Sequence, residues 1–397
     1  MKRALKIIFL GIAFIAGIFS VFYFLFPVLF SVTYPPARGD EGSRVKNEGG
    51  TASTEPLLVA PAIPEILVTH LATPEPLKSV YMTACYASQS SLRAYLVKMI
   101  EETELNAVVI DVKDYTGTIA YEPTDSILKG NKGVGCRVAD IKSFIAELHE
   151  KGIYAIARVT VFQDPTYTKA HPELAVKRAS DGGVWKDYKG LSFIDVSATP
   201  YWEYVVALAL DAHAQGFDEI NFDYIRFPSD GNMENISYPW TKTTPKAEAL
   251  ERFFAHLAEK IKPSGAVISA DLFGMTTTNT DDLNIGQVLE PALRYFDFVA
   301  PMVYPSHYPP NFNGWKNPND HAYDVVHFSM SRAATRARTA STTPLKLRPW
   351  LQDFDYGGIY DAADVRAQIQ ATYDAGLTSW MLWDPSNKYT RGALNTE

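Results

Sequence analysis

Cysteine is nearly absent: the 397 residues contain only Cys85 and Cys136. A disulfide-built scaffold is thereby excluded, and the pair leaves two readings open, a bridge formed in an oxidising compartment or two buried thiols. Positive charge is outweighed, 37 Lys and Arg against 45 Asp and Glu. Beyond Lys2, Arg3 and Lys6 no basic run interrupts a chain of net charge -8, so the electrostatic footprint of a nucleic-acid binder is missing. The eight histidines form no HxH or HExxH pair, which argues against a metal centre, and nothing in the sequence asks for a cofactor. No GxSxG elbow marks a serine nucleophile. No glycine-rich strand-to-helix turn of the dinucleotide type follows the first apolar run.

What the chain does have is apolar mass, 47% of residues, enough for a large core, and 13% aromatics rich in Tyr and Trp. Such rings stack on the apolar faces of sugars while their polar edges stay hydrated. Residues 1–32 open with MKRALK and continue uncharged from Ile7 to Val32, longer than the roughly 20 apolar residues that cross a bilayer as a helix. The stretch is too long and aromatic for a cleaved signal peptide, so a single-pass anchor is expected. The three early cations place the N-terminus in the cytoplasm and the rest of the chain outside it. Residues 33–77, rich in Pro, Glu, Thr, Ser and Gly, read as a flexible linker.

From residue 78 to 397 the texture changes. Eight short apolar runs follow one another: 79–84, 107–112, 154–162, 219–225, 266–273, 297–304, 347–354 and 379–384. Amphipathic segments lie between them, clearest at 139–151, 201–215, 246–261 and 362–375. This alternation predicts an α/β fold, a closed (β/α)8 TIM barrel, with an open doubly wound sheet as runner-up. The longest connections, 114–138, 163–200, 228–245 and 305–320, all follow strands. They belong to the face on which such barrels build active sites.

In FDEINFDYIRFPSDG, residues 217–231, strand alternation turns Ile220, Phe222 and Tyr224 to the helices and Glu219, Asn221 and Asp223 into the barrel. A bland reading of Asp223 is an ion pair with Arg226 or Arg158. Other strand ends repeat the pattern, however, with Asp111 and Lys113, Arg158, Asp271, Tyr304, Gln352 and Asp353, and Asp384. So many ionisable groups at one end of a barrel point to a carboxylate-lined pocket rather than to stability. Tyr224, Tyr304, Trp350 and Trp383 offer stacking platforms, and His307 stands alone near a strand end. Paired carboxylates are what glycosidic cleavage needs, one to protonate the leaving oxygen and one to attack or to activate water.

The ordered segments FDEINFDYIRFPSD, ARVTVFQD, SADLFG, APMVYPSHY, RPWLQDF and WMLWDPSN resemble the glycoside hydrolase domain of bacterial membrane-anchored or secreted proteins, over residues 78–389. The resemblance implies that Asp223 and Asp271 are the catalytic carboxylates. It also implies that Asp111, Lys113, Arg158, Tyr304, Trp350, Gln352 and Asp384 belong to the pocket. A looser similarity to chitinase-like hydrolases, FDGIDIDWE on the fourth strand, breaks at two positions. Ile225 stands at the place of that family's catalytic Glu, and Asn221 replaces an Asp. The expected partner is a polysaccharide or oligosaccharide. Two functions remain in view, a glycoside hydrolase and a non-catalytic glycan-binding barrel.

Overall fold

The computed structural model describes residues 66–396 apart from 132 and 134. The expected anchor and most of the expected linker lie outside the described residues, among which no helix is long and apolar enough to cross a membrane. Eight parallel strands close into a barrel in simple sequential order. They are β1 Lys78–Met82, β2 Ala107–Lys113, β3 Tyr154–Thr160, β4 Glu219–Asp223, β5 Val267–Phe273, β6 Phe298–Met302, β7 Trp350–Gln352 and β8 Trp380–Trp383. Each falls within or beside one of the apolar runs. The runner-up open sheet is excluded by the β1–β8 pairing, Ser79 opposite Met381.

Strands buried on both faces read as continuous apolar runs. Val108, Ile110, Ile220, Phe222, Ile268 and Leu382 join the layer between strands and helices, while Val109, Ile156, Tyr154, Ala300 and Trp350 fill the barrel. The α-helices are α1 Ala84–Ala87, α2 Ser90–Glu101, α3 Ile141–Glu150, α4 Pro165–Ala170, α5 Thr199–Ala214, α6 Lys246–Ile261, α7 Leu289–Tyr295, α8 Ala322–Thr339 and α9 Ala362–Asp374. Helix α6 shows why they form. It buries Ala249, Leu250, Phe253, Phe254, Leu257 and Ile261, a stripe at helical spacing against the barrel. Helix α9 starts in a reciprocal cap between Asp361 and Asp364.

Register arranges the interior in tiers. Val109, Ile156 and Glu219 lie level near the floor, and Asp111, Arg158, Asn221 and Ser269 one step above. Thr160 and Asp223 follow towards the C-terminal ends. Asp271, two residues beyond Ser269, enters the upper tier from β5.

Residues 66–77, at the end of the expected linker, have no helix or strand but pack against the barrel's other end. The Leu71 amide donates to Asp218 Oδ1 at 2.6 Å, Thr73 Oγ1 meets Tyr154 Oη at 3.0 Å, and Leu77 is buried. At the opposite end the loops after β3 and β4 share a small apolar cluster of Val176, Trp185 and Phe193, with Ile236 and Tyr238 against it. Asp195 ties the two loops together by accepting from the amides of Trp240 and Thr241. Cys85 and Cys136 form a disulfide between the segments that follow β1 and β2, which resolves the two readings of that pair.

Candidate active site

A cavity of about 340 Å³ opens among the C-terminal strand ends. Its walls include Arg158, Asp223, Tyr224, Arg226, Asp271, Tyr304, His307, Trp350 and Trp383. The structure thus gathers nine of the singled-out residues from β3, β4, β5, β6, β7 and β8 and the turns that follow them.

The polar face of β4 divides by depth. Glu219, lowest, pairs with Arg348 at 2.9 Å inside the barrel and serves the fold. Asn221, next, donates from Nδ2 to Asp271 Oδ1 at 2.9 Å and to Ser269 Oγ at 3.1 Å. Asp223, uppermost, accepts from its neighbour's amide, Tyr224 N, at 2.6 Å and pairs with Arg158. The ion pair foreseen for Asp223 therefore exists, and the partner is Arg158 rather than Arg226.

Arg158 is the hub. Its Nη1 meets Asp111 Oδ1 at 2.6 Å, its Nη2 meets Asp223, and its Nε, with no hydrogen-bond partner among the described residues, lies 3.9 Å from Asp271 Oδ2. The guanidinium lies over the ring of Trp383, 4.9 Å from its centroid, and Trp383 stacks on Tyr81 at 3.8 Å. Tyr81 also donates its hydroxyl to Asp111. Aromatic faces and three carboxylates thus surround one cation, two of the carboxylates in close ion pairs with it.

Asp271 is the perturbed member. It is buried, and Trp350 Nε1 donates to its Oδ1 at 2.8 Å alongside Asn221. Burial and the nearby Asp223 charge together outweigh Arg158 and these two donors, so its carboxyl is pushed up to about 8. At neutral pH Asp271 holds a proton. Burial likewise raises Asp111, against the pull of Arg158.

Tyr224 departs from expectation. Strand β4 stops at Asp223, and Tyr224 has φ 51°, a conformation costly for a bulky residue. The alternation that would send its ring to the helices ends there, and the side chain lines the cavity instead.

Four other residues are not brought to the cavity. A register shift on β2 between Asp111 and Lys113 puts Lys113 opposite Val159, which faces the helices. Lys113 accordingly pairs with Asp164 at 2.9 Å and donates to the Thr160 carbonyl at 2.6 Å. Gln352 spends its amide on loop backbone, accepting from Ser306 N and donating to the Phe354 carbonyl. Asp353 accepts from Thr390 N, and Asp384 from Ser386 N, as turn anchors. Asp111 does not line the cavity either, but it holds Arg158 from behind. Sequence reasoning passed over Phe273, Gly274, Met275, Met302 and Tyr308, which complete the wall. Their position just after Asp271 and around YPSHY was the available signal.

Among the described residues no cluster of three or more His, Cys, Asp or Glu side chains is arranged to hold a metal ion.

Residues 79–389 match a family model described as "Putative glycosyl hydrolase domain". Among solved structures, the chain is similar to a hypothetical protein from Ruminiclostridium thermocellum. That pair is 31% identical over 48% of this chain and 96% of the other, with a TM-score of 0.44. It is also similar to the glycoside hydrolase domain of PgaB (BpsB) from Bordetella bronchiseptica. There the identity is 14%, the coverage 81% of this chain and 99% of the other, and the TM-score 0.58, a likeness of fold. No curated protein matches the chain.

Proposed function

The chain belongs to the family of putative glycosyl hydrolase domains, and from that premise we propose that it cleaves glycosidic bonds of a polysaccharide outside the cytoplasmic membrane, using Asp271 and Asp223. The observation that carries this reading is the contrast between the two carboxyls. Asp271 keeps its proton to about 8 because it is buried beside another carboxylate. Asp223, in the same tier on the neighbouring strand β4, is held by Arg158. A carboxylic acid protonated at neutral pH can donate to the leaving glycosidic oxygen, and a carboxylate beside it can attack the anomeric carbon or activate water. The partly exposed rings of Tyr224, Phe273 and Trp383 in the cavity wall give a sugar ring apolar surface to rest on.

The assignment is tested by Asp223→Asn. With the full chain and a panel of polysaccharides, the substitution lowers reducing-end release at least about 100-fold, the scale of losing a positioned acid or base, while circular dichroism still shows a folded barrel. Full activity in the variant sinks it. A glycan-binding barrel is the second reading, favoured by buried Ile225 at the place of the chitinase-like acid. It predicts saturable binding with no release from any polysaccharide in the panel.

The proposed setting is a single-pass membrane protein with residues 1–32 as anchor, 33–77 as linker and 78–397 as the hydrolase domain outside. The charge pattern of the first residues supports it. So does the Cys85–Cys136 disulfide, a bond that persists in oxidising compartments. Carbonate washing of membranes from cells producing the full chain separates an anchored from a peripheral protein.

A further inference from the structure

Arg226 is the one cationic wall residue of the cavity whose charge the described residues leave without a contact partner. It sits on the turn after β4 and is 8% exposed. Three aromatic faces hold its guanidinium, with Tyr224 at 5.0 Å, Phe273 at 4.9 Å and Phe193 at 6.0 Å from the ring centroids. A single hydrogen bond is made, from Nη1 to the Phe227 carbonyl at 3.0 Å. A guanidinium carries five N–H donors, so most of its capacity is unspent. The nearest carboxylates, Asp223, Asp230 and Asp187, attract it from a distance, but none forms an ion pair with it among the described residues.

Arg158, the other arginine in the cavity wall, has Asp111 and Asp223 as ion-pair partners, and among the described residues Arg226 has a counterpart to neither. Burying a cation without a paired anion is costly, and a fold has no structural use for it. Arg226 also forms, with Tyr224, the wall between the central cavity and a second hollow that holds Gln163, Asp187 and Lys189. Its free donors therefore look onto the path of a chain lying across Asp223. A planar fork of donors fits a planar carboxylate through two parallel bonds.

Resting on the hydrolase reading above, we propose that the substrate is an acidic glycan, and that Arg226 pairs with an anionic substituent of the sugar beside the cleavage site, a ring carboxylate first of all. The missing counter-ion of the pocket is supplied by the substrate.

The test compares matched ligands on the full chain by calorimetry. Oligosaccharides of galacturonate, of mannuronate and of alternating glucuronate and N-acetylglucosamine are each titrated beside their carboxyl-reduced counterparts; sulfated and phosphorylated oligosaccharides form further arms. At least one acidic member binds 10-fold or more tighter than its neutral partner, and raising salt narrows the gap. Arg226→Met brings that ratio to about one, and Arg226→Lys restores part of it. A merely structural arginine would lower both affinities in proportion and keep the ratio. Tighter binding confined to the sulfated or phosphorylated arm moves the proposal from carboxylate to that anion and overturns the carboxylate assignment. Equal binding within every pair, or binding to no acidic member, overturns the proposal outright. Because binding is read without cleavage, failure here leaves the hydrolase reading to its own test with Asp223→Asn.

Discussion

At the scale of single residues, the raised carboxyl of Asp271 has a thermodynamic consequence. In the folded chain it releases its proton near pH 8, against about 4 in an unfolded one. Its contribution to stability is therefore complete below the unfolded value and is lost as pH rises through about 8. Asp271→Asn keeps a neutral side chain there, and its oxygen still accepts from Asn221 and Trp350. The variant is expected to melt higher than the unaltered protein, by a margin that widens from pH 5 to pH 8, while sugar release is lost. Thermal melts across that range check it, and a margin that stays constant with pH refutes it. The site was legible in the sequence where a side chain's direction follows from strand parity: Asp223, Asp271, Arg158 and Trp350 all arrive as expected. It was illegible where parity breaks. Nothing in AVVIDVK announces the register shift that turns Lys113 outward, and nothing in NFDYIRF announces the positive φ that turns Tyr224 inward. Gln352, Asp353 and Asp384 show a different limit. A polar residue at a strand end serves the loop backbone as readily as a pocket, and only the loop's path decides.

At the scale of elements, all eight strands were readable because a parallel sheet covered on both sides demands uninterrupted β-branched and aromatic runs. Helices were less so. Helix α8 buries Val325, Val326 and Met330, but the rest of its buried side is Ala and Ser, at Ala322, Ser329, Ala333, Ala334 and Ala337, which lowers its apolar contrast. The mouth depends on loops more than on either. Gly231, at φ 116°, lies so close to Trp185 that a Cβ would fall 2.5 Å from the ring's Cζ2. Gly231→Ala is expected to cost about 1–3 kcal/mol through overpacking and backbone strain together. Hydrogen exchange should show the loss confined to residues 176–193 and 231–241, with the barrel strands as protected as before. Uniform loss over the strands would mean that these loops are not a separate unit.

At the scale of the whole molecule, the barrel is closed by hydrogen bonds, and the disulfide adds a covalent tie between the segments that follow the neighbouring strands β1 and β2. Cys85 and Cys136 stand 51 residues apart in sequence, so removing the bond restores considerable freedom to the unfolded chain. Cys85→Ser with Cys136→Ser is expected to lower stability by about 2–4 kcal/mol. Dithiothreitol should lower the melting temperature of the unaltered protein to a similar degree and leave the double variant unmoved; an unaltered protein indifferent to reductant would contradict the bridge. The arginine hub of the pocket sets a limit of another kind. Asp111 and Asp223 both pair with Arg158, so losing either carboxylate or the arginine leaves charge in a buried place without its full complement. A lineage drifting away from this trio by single substitutions must pass through poorer folders, whereas one that keeps it can vary the surrounding loops freely. The three residues are therefore inherited as a block, and changes of sugar preference are expected to accumulate around them rather than within them.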